Sequence, residues 1–292
     1  MSSISEIKHH IKAISDTAKL TRAMHLISSA KMKKAMRAHD QTIEYFDLVR
    51  SNIRFILDNY EGEFHSRFYK SHGKHAAYLV IAGDKGMCGG YNQEVLKLAL
   101  HEVKDQTHIN THLVTFGHMA TRFFEREGIP VDASYLTYVE NPTLDGAREL
   151  ATELIRRYRA DEFEEVFIIY TRLLKGGVTK PTLLHMLPIT DETFRDAKPM
   201  HTPTTSLEFL PSVGAALDSM VRHYIVGTIY SALVQSFASE NRARMSAMDS
   251  ATRNADEMMQ KLKIQLNHAR QAEITQEISE IIGGNPDSFT QS

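Results

Sequence analysis

The chain has 292 residues, 42% apolar and 24% charged, the proportions of an ordinary soluble protein with room for one or two cored domains. A net charge of −2 argues against a dedicated nucleic-acid binder, and the single cysteine, Cys88, excludes an intrachain disulfide or a cysteine-based zinc site. No run of eighteen apolar residues occurs, so no segment reads as a membrane span.

The chain begins helix-like at once, with His9 and His10 where a secretory leader would be apolar. The mature protein is therefore expected to start here and to stay inside the cell, unless partners hold it to a membrane surface. No Gly or Pro precedes Gly62, and Ile4, Ile7, Ile11, Ile14, Ala18 and Thr21 alternate three and four apart. That is the a/d seam of a coiled coil. Ile43, Phe46, Ile53, Ile56 and Tyr60 continue the helical spacing on a wider stripe. These residues predict one helix over 3–57, roughly 80 Å long at about 1.5 Å per residue. A two-position seam cannot stand alone in water and needs a partner helix. Between Lys8 and Arg37 stand Lys8, Lys12, Lys19, Arg22, Lys31, Lys33, Lys34 and Arg37 against the one acid Asp16. This basic stretch reads as a solvated face, as a groove binder, or as the complement of an acidic protein partner. No aromatics interleave with the charges, which favours the protein partner over nucleic acid.

From Ala76 the periodicity changes. Ala77 to Ala82 is a short continuous apolar run, the pattern of a buried strand. The loop GDKGMCGG (Gly83 to Gly90) follows, then a helix over 92–103, a strand over 113–116 and a helix over 118–127. A third helix over 144–158 precedes a buried strand over 166–170, and Gly176-Gly177 turn the chain into 182–187. Strands alternating with helices imply a small, Rossmann-like, mostly parallel α/β sheet. The glycine-rich loop could cradle phosphate at a helix N-terminus, but its spacing fits neither GxGxxG nor GxxxxGK[ST]; a tight strand-to-helix turn is the other reading. Cys88, near that helix start, is either an activated thiol or a buried structural one. No HExxH or GxSxG spacing is present, and nothing resembles an active site.

Pro199, Pro203 and Pro211 mark a linker into the last element. There Met245, Met248, Thr252, Ala255, Met259, Leu262, Leu266 and Ala269 form a second seam. At Glu273 the seam fails, the apolar positions move to Ile274, Ile278 and Ile281, and Gly283-Gly284 end the helix. Joined through a middle domain, the terminal helices are expected to pair antiparallel. Setting Leu57 opposite about Pro211 gives a nearest seam-on-seam register of Ile4 with Leu262, Ile7 with Met259, Ile11 with Ala255, Ile14 with Thr252, Ala18 with Met248 and Thr21 with Met245. A shift by one heptad is the alternative. In the first register residue 1 faces Gln265, and the C-terminal helix outruns its partner from there. The expected layout is a coiled-coil helix over 1–60, a linker over 61–75, the α/β domain over 76–195, a linker over 196–211, the second coiled-coil helix over 212–284 and a tail over 285–292.

The stretches from Glu240 to Met258 (ENRARMSAMDSATRNADEM) and from Ala269 to Gly284 (ARQAEITQEISEIIGG) closely resemble the C-terminal signature of the gamma subunit of F-type, proton-translocating ATP synthases of the bacterial type. Ile7 to Ala35, Ala82 to Asn92 and Lys180 to Ile189 resemble that family's N-terminal helix and central domain in place and order. His9-His10 replace usually basic residues, Gly83 stands where the family commonly has Ser, and the cysteine pair of the chloroplast type is absent. The resemblance implies a non-catalytic central-stalk rotor shaft without cofactors, carrying torque between a proton-driven membrane ring and a catalytic ring of three alpha and three beta subunits. The epsilon subunit would sit at its foot, on the cytoplasmic face of the bacterial cell membrane. It also implies that Met24, Lys31, Lys33, Lys34, Arg244, Arg270, Gln271, Thr275, Glu277, Ile278 and Ile281 face the alpha and beta subunits. Two other classes remain beside it: a free nucleotide-binding α/β protein with a coiled-coil arm, and a basic coiled coil on DNA.

Overall fold

The computed structural model describes residues 3–60, 66–69, 73–104, 110–199, 209–210 and 212–283. The expected tail over 285–292, the cap residue Gly284 and the middles of both linkers lie outside the described residues. The chain divides into two compact units, one of residues 28–244 and one of residues 1–27 with 245–292.

Two long helices bracket the sequence, α1 (Ile4–Asn59) and α6 (Val213–Gly283). Each starts on a serine. The Ser3 hydroxyl accepts from the Glu6 amide while the Ser3 amide donates to the Glu6 carboxylate, a capping box. The Ser212 hydroxyl accepts from the amide of Ala215, satisfying a donor that the first turn leaves without a helical partner.

The larger unit holds a five-stranded sheet of β1 (His75–Ile81), β2 (Asn110–Phe116), β3 (Ala133–Tyr135), β4 (Glu165–Leu173) and β5 (Thr179–Leu187). The strand order is β3-β2-β1-β4-β5, parallel except for the antiparallel β4–β5 pair. This is a Rossmann-like, mostly parallel sheet, as expected, with an antiparallel edge. The edge follows from Gly176 and Gly177, whose positive φ values of 81° and 79° fold β4 directly back into β5.

Both faces are covered, which is why β1 reads as a continuous apolar run. Ala77, Leu79 and Ile81 face a core shared with α1, α5 (Leu144–Arg159) and α6. Ala76, Tyr78, Val80 and Ala82 face α2 (Tyr91–Lys104) and α3 (His118–Arg126). Two elements here leave no mark in the sequence pattern: the three-residue edge strand β3 and the single-turn helix α4 (Thr137–Glu140). Neither is long enough to show a period. At the start of the second expected linker Ala197 is buried, and Arg54 donates to its carbonyl (2.6 Å) and to that of Arg195 just before it (3.0 Å).

Within this unit α1 and α6 cross closely at Gly227. A Cβ there would stand 2.3 Å from the ring of Phe46, so only glycine admits the contact. An alanine at a mid-helix position ordinarily gains about 1 kcal/mol over glycine, but overpacking a tight contact costs about 1–3 kcal/mol. Gly227→Ala is therefore expected to lower the melting temperature, and adding Phe46→Leu to recover part of it. A melting temperature raised by Gly227→Ala alone would contradict the close crossing.

Candidate functional site

The first candidate region is the coiled-coil unit. Its α1 seam residues Ile7, Ala18 and Thr21 are buried, Ile4, Ile11 and Ile14 half-buried. On α6, Met248 and Ala255 are buried and Met245, Thr252, Met259, Leu262, Leu266 and Ala269 half-buried. All the expected seam positions thus lie on the inward stripe. The pairing differs from the first expected register. The hydroxyls of Thr21 and Thr252 meet at 2.7 Å, and Arg22 donates to both carboxylate oxygens of Asp256 at 2.9 and 2.8 Å. Thr252 therefore faces Thr21, not Ile14, a shift of one full heptad. Extended along the seam, this register sets Ala18 against Ala255 and Ile14 against Met259.

The physical reason is polar. In the first register each threonine hydroxyl would meet an apolar partner, Met245 or Ile14. In the observed one a hydroxyl donates to its opposite number, and the acceptor is free to donate to its own helix, at Ala18 O (3.0 Å) or Met248 O (2.8 Å). The hydroxyl that accepts thus gains a donor it would lack against an apolar partner, and this pair selects among registers that the apolar repeat leaves alike.

The shift also moves the end of pairing. Every residue from Arg270 to Ile281 is exposed. Arg270, Gln271, Thr275, Glu277, Ile278 and Ile281 all lie in this stretch, and the apolar residues among its last turns, Ile274, Ile278 and Ile281, are 55%, 51% and 73% exposed. These three fall four and three apart on one stripe. The side chain of Ile282 lies outside the described residues. On α1, Met24 is half-buried, and Leu20, Leu26 and Ile27 are exposed. Of the lysines and arginines that α1 contributes to this unit, Arg22 is bound to Asp256 and Lys19 to Asp16 (3.0 Å), while Lys8 and Lys12 are exposed. In the larger unit Lys31, Lys33 and Lys34 are exposed.

The second region is the glycine-rich loop after β1. The Gly83 amide donates to the Asn92 side-chain oxygen at 2.8 Å, and Asn92 donates to Cys88 Sγ at 3.3 Å. A Cβ at Gly83 would lie 3.0 Å from both Asn92 Oδ1 and Glu240 Cδ, so these side chains fill the concavity. Asp84 accepts from the His118 amide at 3.1 Å, and Gly83 O from that of Met119 at 3.2 Å, capping α3. Lys85 binds Glu140 at 2.5 Å. A phosphate cradle needs converging amides and positive potential; here Glu240 stands against Gly83, and Glu94 Oε1 lies 3.3 Å from a Cβ position at Gly90. The loop is a tight turn that joins helices, and the phosphate reading does not fit it.

Cys88 is buried, and burial, with Glu240 nearby, pushes its thiol above the ordinary range. It is a structural thiol, which corrects the activated alternative. Arg244 also takes a place other than the expected partner-facing one. Its side chain is 12% exposed, binds Glu240 at 2.5 Å, and donates to Gly86 O (3.2 Å) and Lys85 O (3.4 Å). The residues missed in sequence were Asn92 and Glu240. The signal for Glu240 is chemical: a carboxylate four residues before an arginine on a largely buried helix face. Among the described residues no group of three or more His, Cys, Asp or Glu is placed to hold a metal ion, and no helix is long and apolar enough to cross a membrane.

Residues 3–286 match the family model described as ATP synthase. The ATP synthase gamma chain of Ruminiclostridium cellulolyticum is 41% identical over 285 residues, covering 96% of either chain. The chain belongs to the ATP synthase gamma-chain family. The gamma chain of Caldanaerobacter subterraneus subsp. tengcongensis is 38% identical, covering 96% of this chain and 98% of its own. Among solved structures, a chain of the Euglena gracilis mitochondrial ATP synthase (OSCP/F1/c-ring, rotational state 3) aligns with a TM-score of 0.66 at 18% identity, over 99% of this chain and 98% of its own. A chain of the Tetrahymena thermophila mitochondrial ATP synthase central stalk/c-ring aligns with a TM-score of 0.58 at 18% identity, over 80% and 99%. These likenesses confirm the gamma-chain fold.

Cysteines at positions 21 and 252 are expected to form a disulfide on mild oxidation, and cysteines at 14 and 252 to form none, read by peptide mass. The reverse pattern would restore the first register. A second outcome concerns pH. Burial raises the Glu240 carboxyl above its ordinary value of 4.5, and Arg244 offsets this only in part. The folded state therefore holds that proton longer than the unfolded one, and its advantage is complete below about pH 4.5 and lost as pH rises through the raised value. Melting temperatures of wild type and Glu240→Gln should accordingly diverge above that pH, the wild type losing ground. Parallel profiles would remove Glu240 from the account.

Proposed function

We propose that this chain is the central-stalk rotor shaft of an F-type ATP synthase. It passes torque between a proton-driven membrane ring and a catalytic ring of three alpha and three beta subunits, so coupling proton flow to ATP synthesis or hydrolysis. The chemistry takes place on the beta subunits, and the gamma chain itself is non-catalytic and needs no cofactor. Its α/β unit meets the epsilon subunit and the membrane ring, and the assembly lies peripherally on the cytoplasmic face of the bacterial membrane. Membership of the gamma-chain family supports this reading.

The observation that carries it is the unpaired end of α6. Beyond Ala269 the helix has no partner among the described residues, yet it keeps three isoleucines on one stripe beside Arg270, Gln271, Thr275 and Glu277. An apolar stripe on a solitary helix marks a surface made for another molecule. The alpha and beta ring supplies a bearing for Ile274, Ile278 and Ile281, with polar contacts at Arg270 and Gln271. Met24 and the exposed lysines Lys31, Lys33 and Lys34 meet acidic segments of the beta subunits. A shaft that presents different faces to three identical sites gives them different conformations, and so different nucleotide affinities.

Replacing Arg270 and Gln271 together by Ala is expected to impair ATP synthesis by membrane vesicles more than assembly of the alpha–beta–gamma core. Wild-type synthesis in that variant would refute the assigned contact. Failure of the chain to co-purify with alpha and beta subunits would refute the shaft itself.

A further inference from the structure

Strand β4 outruns its neighbour: β1 pairs with it only over 165–169, leaving Thr171 beyond the ladder. Helix α6 satisfies what the missing strand would have. The Thr171 amide donates to Ser236 Oγ at 3.3 Å, and Ser239 Oγ donates to the Thr171 carbonyl at 3.1 Å, with both serines fully buried. One residue further, Glu240 stands against Gly83. One turn beyond, Arg244 donates to the Gly86 and Lys85 carbonyls of the glycine-rich loop. Residues 236, 239, 240 and 244 are spaced three, one and four apart and share one helix face. That face is thus keyed to the sheet backbone at β4 and to the loop after β1.

Apolar contacts are non-directional and let a helix turn about its axis at little cost. Hydrogen bonds to fixed backbone carbonyls are directional, and buried partners left unmade carry the full desolvation penalty. Resting on the shaft reading above, we propose that Ser236, Ser239, Glu240 and Arg244 are positioning residues that form a torsional fastening. Through them the α/β unit turns α6 as one body instead of slipping around it. The stability of the unit rests on its apolar cores; the fastening fixes the helix's angle.

The chain supplies its own reporter. Cys88 is its only cysteine, lies buried in the same loop, and accepts from Asn92. The test uses the assembled ATP synthase in membrane vesicles, with Glu240→Gln/Arg244→Gln as the first variant and Arg244→Lys as the second. The lysine keeps the charge but lacks the planar guanidinium whose Nη2 reaches Glu240 and both loop carbonyls. Three quantities are read: protons pumped per ATP hydrolysed against a rising opposing gradient, the rate of Cys88 modification by a maleimide, and the melting temperature.

Maleimide modification of Cys88 in the assembled complex is expected to quicken about tenfold as the loop opens locally. The pumping ratio is expected to collapse at a smaller opposing gradient than in wild type, whatever the change in melting temperature. A wild-type pumping ratio in either variant, with or without faster labelling, overturns the fastening, as does unchanged labelling in both. Should the double variant not assemble, the lysine variant alone decides. Failure of the shaft reading looks different, because the wild-type chain would then support no pumping.

Discussion

Each long helix of this protein carries an apolar stripe too narrow to be stable alone, and that deficit organises the rest. A two-position seam buries itself only against a like seam, so residues 4–27 and 245–269 are stable as a pair or not at all. Among the described residues nothing covers α6 beyond Ala269, and every residue from Arg270 to Ile281 is exposed. The exposed isoleucines therefore follow from the geometry of pairing.

In the larger unit the same two helices meet a sheet, and the contacts change character. The apolar interface of Phe46, Val49, Ile53 and Ile56 with Leu217, Val221, Ile225 and Ile229 holds them together. Gly227 sets how closely they approach, because the Phe46 ring occupies the space of a side chain. Polar groups then fix orientation: Ser236 and Ser239 on Thr171, and Arg244 on the loop carbonyls. The Glu240–Arg244 pair is costly to bury, and burial raises the Glu240 carboxyl despite the guanidinium beside it. Its contacts with the loop specify one arrangement of α6 on the sheet.

The glycine-rich loop shows how a nucleotide-like motif can serve packing. Its backbone oxygens and Asp84 cap α3, its amide at Gly83 binds Asn92, and its mouth is closed by Glu240. The glycines are there for close approach and turn, and the carboxylates would repel a phosphate. The loop's lone thiol is buried, and Asn92 donates to its sulfur.

The sequence by itself determined the two long helices, both seams, the central strands and the family. Those signals are periodic or local: unbroken three-four spacing, continuous apolar runs, and a C-terminal motif. It could not choose the register, since shifting one seam by seven residues restores the same apolar match. Only the meeting of Thr21 and Thr252, a polar event between residues 231 apart, decided it. Nor could it show that Arg244 turns inward or that Glu240 fills the space beside Gly83, because both depend on how α6 lies against a loop more than 150 positions earlier. Elements as short as β3 and α4 carry no period to read. Periodicity fixes what an element is; which buried polar group meets which is settled only when the chain has folded.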